Sequence, residues 1–449
     1  MATILQPSRA ILDLGDAFYD PVAAADFPQT ILRFRNDRAA AEVGLNGLSD
    51  DDWVRHFGRF APLPGSLDQP LALRYHGHQF RNYNPDIGDG RGFLFAQVQD
   101  GDGRLLDLGT KGSGQTPWSR FGDGRLTLKG GVREVLATEM LQALGVNTSR
   151  SFSLIETGEA LERGDEPSPT RSAVLVRLSH GHIRIGTFQR LAYLRDAEAM
   201  ARLVDYVLVN LHDDAPGDPV RLLQNVVAKT ARLAASYMAA GFVHGVLNTD
   251  NINVTGESFD YGPWRFTPTW DPGHVAAYFD HAGLYAFGRQ PEAIHWNAMQ
   301  LAVSLRTLVD AEPLIAALDT FPDLYQSAVT DALLWRLGVT PRGSAQDRAL
   351  VQTIEPAMRA TETPIDRFFF DAFGGTIPER YGEPFAEARA ALANYSARKD
   401  RRHPYWSGEP CSMLIDEVET IWSAIDERDD WAPFDAKIAA IRQMGEALA

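Results

Sequence analysis

His244-Gly245-Val246-Leu247-Asn248-Thr249-Asp250-Asn251, followed by Asp260-Tyr261-Gly262, carries the densest chemistry in this chain. It brings an imidazole, two carboxylates and two amides into one short segment. Amide and carboxylate oxygens are hard ligands, suited to Mg²⁺ shared with substrate phosphates. Asn251 and Asp260 are therefore the candidate metal ligands. Asp250 is the candidate base for an incoming hydroxyl. The competing reading of Asp250 is a cap or turn residue, because Asn248-Thr249-Asp250-Asn251 are all turn formers.

Phosphotransferases of the kinase type place a base Asp in a His-x-Asp loop, an Asn a few residues later, and a metal-binding Asp in an Asp-Phe-Gly turn. Val246 stands here where that first Asp would be, while Asn251 and Asp260-Tyr261-Gly262 keep the other parts. The pattern predicts nucleotide and metal binding with altered chemistry. Upstream, Lys111 follows the apolar run Leu105–Gly109, and Glu134 opens the next helical pattern. A strand Lys paired with a helix Glu fixes the Lys against nucleotide phosphates. Each signal alone is weak, since lone Lys–Glu pairs are usually solvated bridges. The order strand-Lys, helix-Glu, catalytic loop, Asp-x-Gly is the stronger signal.

Gly88-Asp89-Gly90-Arg91 and Gly122-Asp123-Gly124-Arg125 flank Lys111 on either side. Glycines let backbone N–H groups approach phosphates, and arginines add charge-assisted hydrogen bonds. Gly-Asp-Gly is also ordinary turn chemistry; its recurrence on both sides of the Lys favours phosphates. Arg177 lies in an apolar strand pattern, where a charge needs a partner: a phosphate or a buried carboxylate. Arg184 is the next candidate. His76-Gly77-His78 and His180-Gly181-His182 read as structural histidines. Trp264, Phe266, Trp270, Tyr278, Phe279, Tyr285 and Phe287 read as core around the loop after Asp260.

Apolar runs at 92–98, 105–109 and 173–178 predict buried strands. Helices are expected at 132–144, 222–240, 296–319, 325–337, 346–361 and 381–396, the second ending at Gly241. Strands first and helices after about residue 190 predict an α+β, bilobal, kinase-like architecture. Its strand-rich nucleotide-binding lobe would span 1–190 and its helical lobe, with the catalytic and metal-binding loops, 191–449. A doubly wound α/β fold would alternate strands and helices throughout. The 449 residues are 45% hydrophobic and 23% charged, ordinary for a globular chain. The single cysteine, Cys411, excludes an internal disulfide. A net charge of −16 argues against nucleic-acid and anionic-membrane partners. No apolar run approaches a membrane span and no secretory leader is evident, so the expected location is cytoplasmic.

The sequence resembles the selenoprotein O family (SelO/YdiU-type), kinase-like protein adenylyltransferases. The resemblance rests on Tyr75-His76-Gly77-His78-Gln79-Phe80, Gly88–Arg91, Lys111–Arg125, Val132-Arg133-Glu134, His244–Asn251, Asp260-Tyr261-Gly262-Pro263 and Gln290-Pro291. It covers about residues 10–310. It implies a pseudokinase fold that binds ATP in a flipped orientation and transfers AMP to protein Ser, Thr or Tyr hydroxyls. By resemblance Asp250 is the proton acceptor, and Asn251 and Asp260 hold Mg²⁺ or Mn²⁺. Gly88, Gly90, Arg91, Lys111, Asp123, Gly124, Arg177, Arg184 and Asp260 would contact the nucleotide, with Glu134 pairing Lys111. The partners implied are ATP and hydroxyl-bearing proteins. The chain departs from the family at Arg81, where a Gly is typical, and at Gly283-Leu284-Tyr285; the match is poor beyond about 320. Cys411 has no second cysteine to bridge, so redox control by an intramolecular disulfide is excluded. The alternatives are a non-catalytic ATP-binding pseudokinase scaffold, a γ-phosphate kinase, which Val246 argues against, and a protein uridylyltransferase.

Overall fold

The computed structural model describes residues 3–164 and 166–449. The strands predicted in the first half form one antiparallel sheet, built from β1 (Gln6–Ser8), β2 (Tyr19–Pro21), β3 (Ile31–Arg35) and β4 (Leu71–Leu73), with β7 (Leu94–Gln99), β8 (Leu105–Lys111), β9 (Leu126–Thr127), β10 (Arg150–Leu161) and β11 (Thr170–Ser179). Its order is β2-β4-β7-β8-β11-β10-β3, with β1 added to β7 and β9 to β11. A separate hairpin joins β5 (Gly77–Gln79) to β6 (Asn82–Asn84).

Both faces of the sheet are covered, so its central strands are buried on both sides and mostly apolar, with Gln97, Asp107, Lys111 and Arg177 as buried polar exceptions. Along β11, Val174 and Val176 point to a cluster with Trp53, Phe57, Phe95 and Phe152. Ala173 and Leu175 point to the opposite face and join the main core, which includes Leu128, Val132 and Met140 of α3 (Leu128–Ala143). The two small helices α1 (Asp37–Glu42) and α2 (Asp50–Phe57) accompany the first face. α3 begins where the Thr127 hydroxyl accepts from the Gly130 N–H at 3.1 Å, an ordinary N-cap.

Helices dominate after the sheet: α4 (Ile185–Leu194), α5 (Ala197–Leu211) and α6 (Pro219–Ala240). α6 is capped by Asp218, has Pro219 in its first turn and stops at Gly241, whose φ of +68° suits a residue without Cβ. The chain then enters β12 (Phe242–Val243), which pairs with β13 (Arg265–Phe266). This short ladder brackets the segment that carries Asp250, Asn251 and Asp260.

The expected helix at 296–319 is two helices, α7 (Gln290–Leu305) and α8 (Ala311–Leu318). α9 (Phe321–Arg336), α10 (Ser344–Thr361) and α11 (Ile365–Ala372) follow. At 381–396 only α12 (Ala386–Leu392) is α-helical, after two 3₁₀ turns; Gly382, at φ +70°, and Pro384 interrupt the pattern. The C-terminal helices α13 (Ile415–Arg428) and α14 (Ala432–Leu448) return to α3. Arg442 grips Glu139 with two bonds of 2.8 and 2.9 Å, and Lys129 meets Glu419 at 2.6 Å. Among the described residues, no helix is long and apolar enough to cross a membrane.

Candidate active site

The register of β8 against β11 pairs Leu175 with Lys111 and Arg177 with Gly109. Residues two apart share a face of a strand, so Lys111 and Arg177 project from the same side as diagonal neighbours. α3 lies across that side and inserts Glu134 between them. Lys111 Nζ is 2.6 Å from Glu134 Oε2 and 3.0 Å from Asp260 Oδ1. Arg177 Nη1 is 3.2 Å from Glu134 Oε1 and 3.4 Å from Asp260 Oδ1. Lys111 is the last residue of its strand, and Glu134 sits within α3 rather than opening it. The buried carboxylate that the sequence left open as a partner of Arg177 is supplied by Glu134. Glu134 is fully buried. Removing one member would strand its partners uncompensated, at a cost of about 3–5 kcal/mol, although the intact cluster need not add net stability.

Asp260 adopts φ +65°, a left-handed conformation that costs a non-glycine residue energy and is retained mainly at functional sites. Tyr261 fixes the turn: its hydroxyl lies 2.5 Å from Thr148 Oγ1 and 2.7 Å from Ser258 Oγ. Burial pushes the Asp260 carboxyl up, but Lys111, Arg177, Arg184 and Arg91 outweigh it and hold the group well below the usual carboxylate range.

A cleft of about 690 Å³ opens in front of this cluster. Gly88, Gly90, Arg91, Lys111, Asp123, Gly124, Arg177, Arg184, Asp250 and Asp260 all line it. Glu134 and Asn251 are not among the lining residues. Glu134 is held by Lys111 and Arg177, while Asn251 Nδ2 donates to the Val246 carbonyl at 2.9 Å, leaving its Oδ1 as the free end. Arg184 lies over the Tyr75 ring at 4.3 Å and the Phe259 ring at 5.0 Å. It reaches Asp89 at 3.3 Å, and its Nε has no hydrogen-bond partner. Asp123 is tied to Arg163 at 2.7 Å.

The glycines have an intramolecular reason that the phosphate reading did not include. A Cβ on Gly88 would stand 2.6 Å from the Trp118 ring, and one on Gly90 2.8 Å from the Trp118 carbonyl oxygen. Gly124, at φ +70°, would collide with Gly114 at 2.2 Å. Close packing of the chain on itself accounts for these positions.

Asp250 sits in a 3₁₀ turn, 8% exposed, and its Oδ1 has no hydrogen-bond partner. Burial raises its carboxyl to about 6, against its own N–H, Arg184 and Gln79, which lower it. The hairpin β5–β6 rivets this turn in place. The His78 N–H donates to Thr249 Oγ1 at 2.7 Å, Gln79 Nε2 to Asp250 Oδ2 at 3.3 Å, and the Phe80 N–H to Asn248 Oδ1 at 3.0 Å. Thr249 in turn donates to Gln189, which contacts the His78 ring. Tyr285 OH donates to Asn248 Oδ1 at 2.8 Å. Sequence reasoning treated His76 and His78 as structural and did not find the bond from Gln79 to Asp250. Trp264, Phe266, Trp270, Tyr285 and Phe287 are buried as expected, whereas Tyr278 and Phe279 are 80% and 43% exposed and are not core.

Comparison with known proteins fits this arrangement. The profile of the family described as protein adenylyltransferase SelO matches residues 3–384. The chain belongs to the SelO family. Its relatives include proteins named protein nucleotidyltransferase YdiU. That of Gloeobacter violaceus is 44% identical, the alignment covering 97% of this chain and 94% of the relative. That of Synechocystis sp. is 42% identical, covering 95% of each. That of Azotobacter vinelandii is 38% identical over 90% of this chain and 81% of the relative. The SelO match and the YdiU relatives make this chain a nucleotidyltransferase; the family profile stops at 384, before the two helices that return to α3.

Proposed function

We propose that this chain transfers AMP from ATP to Ser, Thr or Tyr hydroxyls of target proteins, in a bilobal kinase-like fold. The strand-rich lobe spans 1–190 and the helical lobe 191–449. The observation that carries this reading is Asp250: a buried carboxylate with one oxygen unpartnered, on the same cleft as Lys111, Arg177 and Arg184.

The acceptor hydroxyl gives its proton to Asp250, and its oxygen forms a bond to the α-phosphorus. The bond from the α-phosphorus to the bridging oxygen breaks, and pyrophosphate leaves with that electron pair. Lys111, Arg177 and Arg184 stabilise the developing charge on the leaving group. A flipped nucleotide, with its β- and γ-phosphates toward these cations, brings the α-phosphate to Asp250. This is why an acid at 246 is dispensable.

Asn251 Oδ1 and the Asp260 carboxylate are hard oxygen donors and fit Mg²⁺ or Mn²⁺. Among the described residues no cluster of three or more acidic, His or Cys side chains forms a metal cage. Two protein ligands completed by phosphates and water is the usual Mg²⁺ arrangement. Bound there, the cation would neutralise phosphate charge. Intact-mass analysis of acceptor protein incubated with ATP or UTP tests the reading. A gain of one AMP from ATP supports it; a gain of a phosphoryl group, or a gain from UTP alone, refutes it.

A further inference from the structure

The loop between β5 and β6 has two residues, Phe80 and Arg81, because Gln79 pairs directly with Asn82. Both are left-handed, at φ +49° and +63°. Two-residue hairpin turns of this kind favour Asn-Gly, and large side chains there are strained. The strain is kept beside the candidate base. Gln79, next to the tip, bonds Asp250, and the Phe80 N–H bonds Asn248.

The two side chains of the tip point to different surroundings. Phe80 packs on Phe279 at 5.8 Å and Tyr285 at 5.0 Å, extending to the exposed Tyr278. Arg81 lies over the Trp296 ring at 5.3 Å and reaches Glu292 at 3.2 Å. Glu292 is 60% exposed and is shared with Arg289 at 3.7 Å. Two exposed arginines thus share one carboxylate, and a surface pair of this kind adds little stability. It does not repay a strained Arg where glycine would fold as well. Gln79 lines the cleft together with Asp250, so the tip that follows it, with the aromatic residues packed on Phe80, adjoins the cleft on its Asp250 side.

Resting on the adenylyltransferase reading, we propose that Arg81 is a specificity-determining residue for the acceptor. It selects protein segments that carry a carboxylate beside the reacting hydroxyl, while Phe80, Tyr278 and Phe279 support an apolar neighbour. A bound acidic side chain replaces the shared Glu292 with a carboxylate of Arg81's own, a charge-assisted contact.

The test uses synthetic peptides with a single Ser, Thr or Tyr, each made with flanking Asp/Glu or with Asn/Gln instead. Transfer from α-labelled ATP is followed for the wild type, Arg81→Gly and Arg81→Glu. The wild type is expected to favour the acidic peptide by about tenfold in kcat/KM. Arg81→Gly, which also relieves the backbone, brings that ratio to about one without lowering the melting temperature. Arg81→Glu inverts it. Equal use of acidic and amide peptides by the wild type overturns the inference alone. So does an acidic preference that survives Arg81→Gly. No labelled AMP on any peptide or protein overturns the adenylyltransferase reading and this inference with it.

Discussion

Asp250 is buried and Asp260 partly so, both near Arg184, yet their environments drive them apart. Asp260 touches Lys111 directly and is held ionised, whereas Asp250 is dominated by burial and sits near 6. Divergent carboxyls of this kind divide labour between charge binding and proton transfer. Asp260→Asn should keep the turn but lose its charge. Titration of nucleotide with and without Mg²⁺ should then show the metal-dependent gain in affinity abolished; an undiminished gain would remove Asp260 from the metal site. The meeting of Lys111, Glu134 and Asp260 was legible because their order along the chain is itself the signal. The partner of Arg177 was not, because a single strand does not reveal which helix crosses its face. The glycines read from sequence as a phosphate cradle, and their packing was not legible, since Trp118 lies far from Gly88 in sequence.

At the scale of elements, the hairpin and the loop after α6 form one unit. The hairpin escaped the sequence reading because its turn is Phe80-Arg81 rather than Asn-Gly. The break between α7 and α8 escaped because apolar spacing continues across Arg306–Asp310. The segment Asn253–Phe259 leading to Asp260 carries a second buried acid. Glu257 accepts the His180 N–H with both oxygens, at 3.0 and 3.1 Å. Burial raises its carboxyl from 4.5 to about 7, while the His180 N–H, Arg150 and Arg104 pull it down. Between pH 4.5 and 7 the folded state holds more protons than the unfolded state, so stability falls as pH rises through that window and is flat above it. Glu257→Gln keeps an acceptor and cannot ionise. Urea unfolding should show this contribution removed and the variant more stable at pH 8, by up to about 3 kcal/mol. An unchanged slope between pH 4.5 and 7 would contradict the burial account.

On the scale of the whole molecule, strands-then-helices was readable from the order of patterns, but the return of the C-terminus was not. Nothing in the spacing of α14 says that it packs beside α3, the helix carrying Glu134. Arg442–Glu139 and Lys129–Glu419 tie the two C-terminal helices to α3. Arg442→Glu should lower the unfolding free energy by about 2 kcal/mol. The swap Arg442→Glu with Glu139→Arg should recover most of it; no recovery would mean that the contact does not couple these helices.

In the proposed reaction the acceptor oxygen takes the α-phosphate while Asp250 takes the acceptor's proton. The direct measurement supplies ATP labelled at the α- or the γ-phosphate to wild type and Asp250→Ala, with nucleotide affinity measured in parallel. The account predicts protein labelling from the α position only, reduced at least about 100-fold in the variant, with nucleotide binding retained. Labelling from the γ position, or α-labelling undiminished in Asp250→Ala, would contradict it.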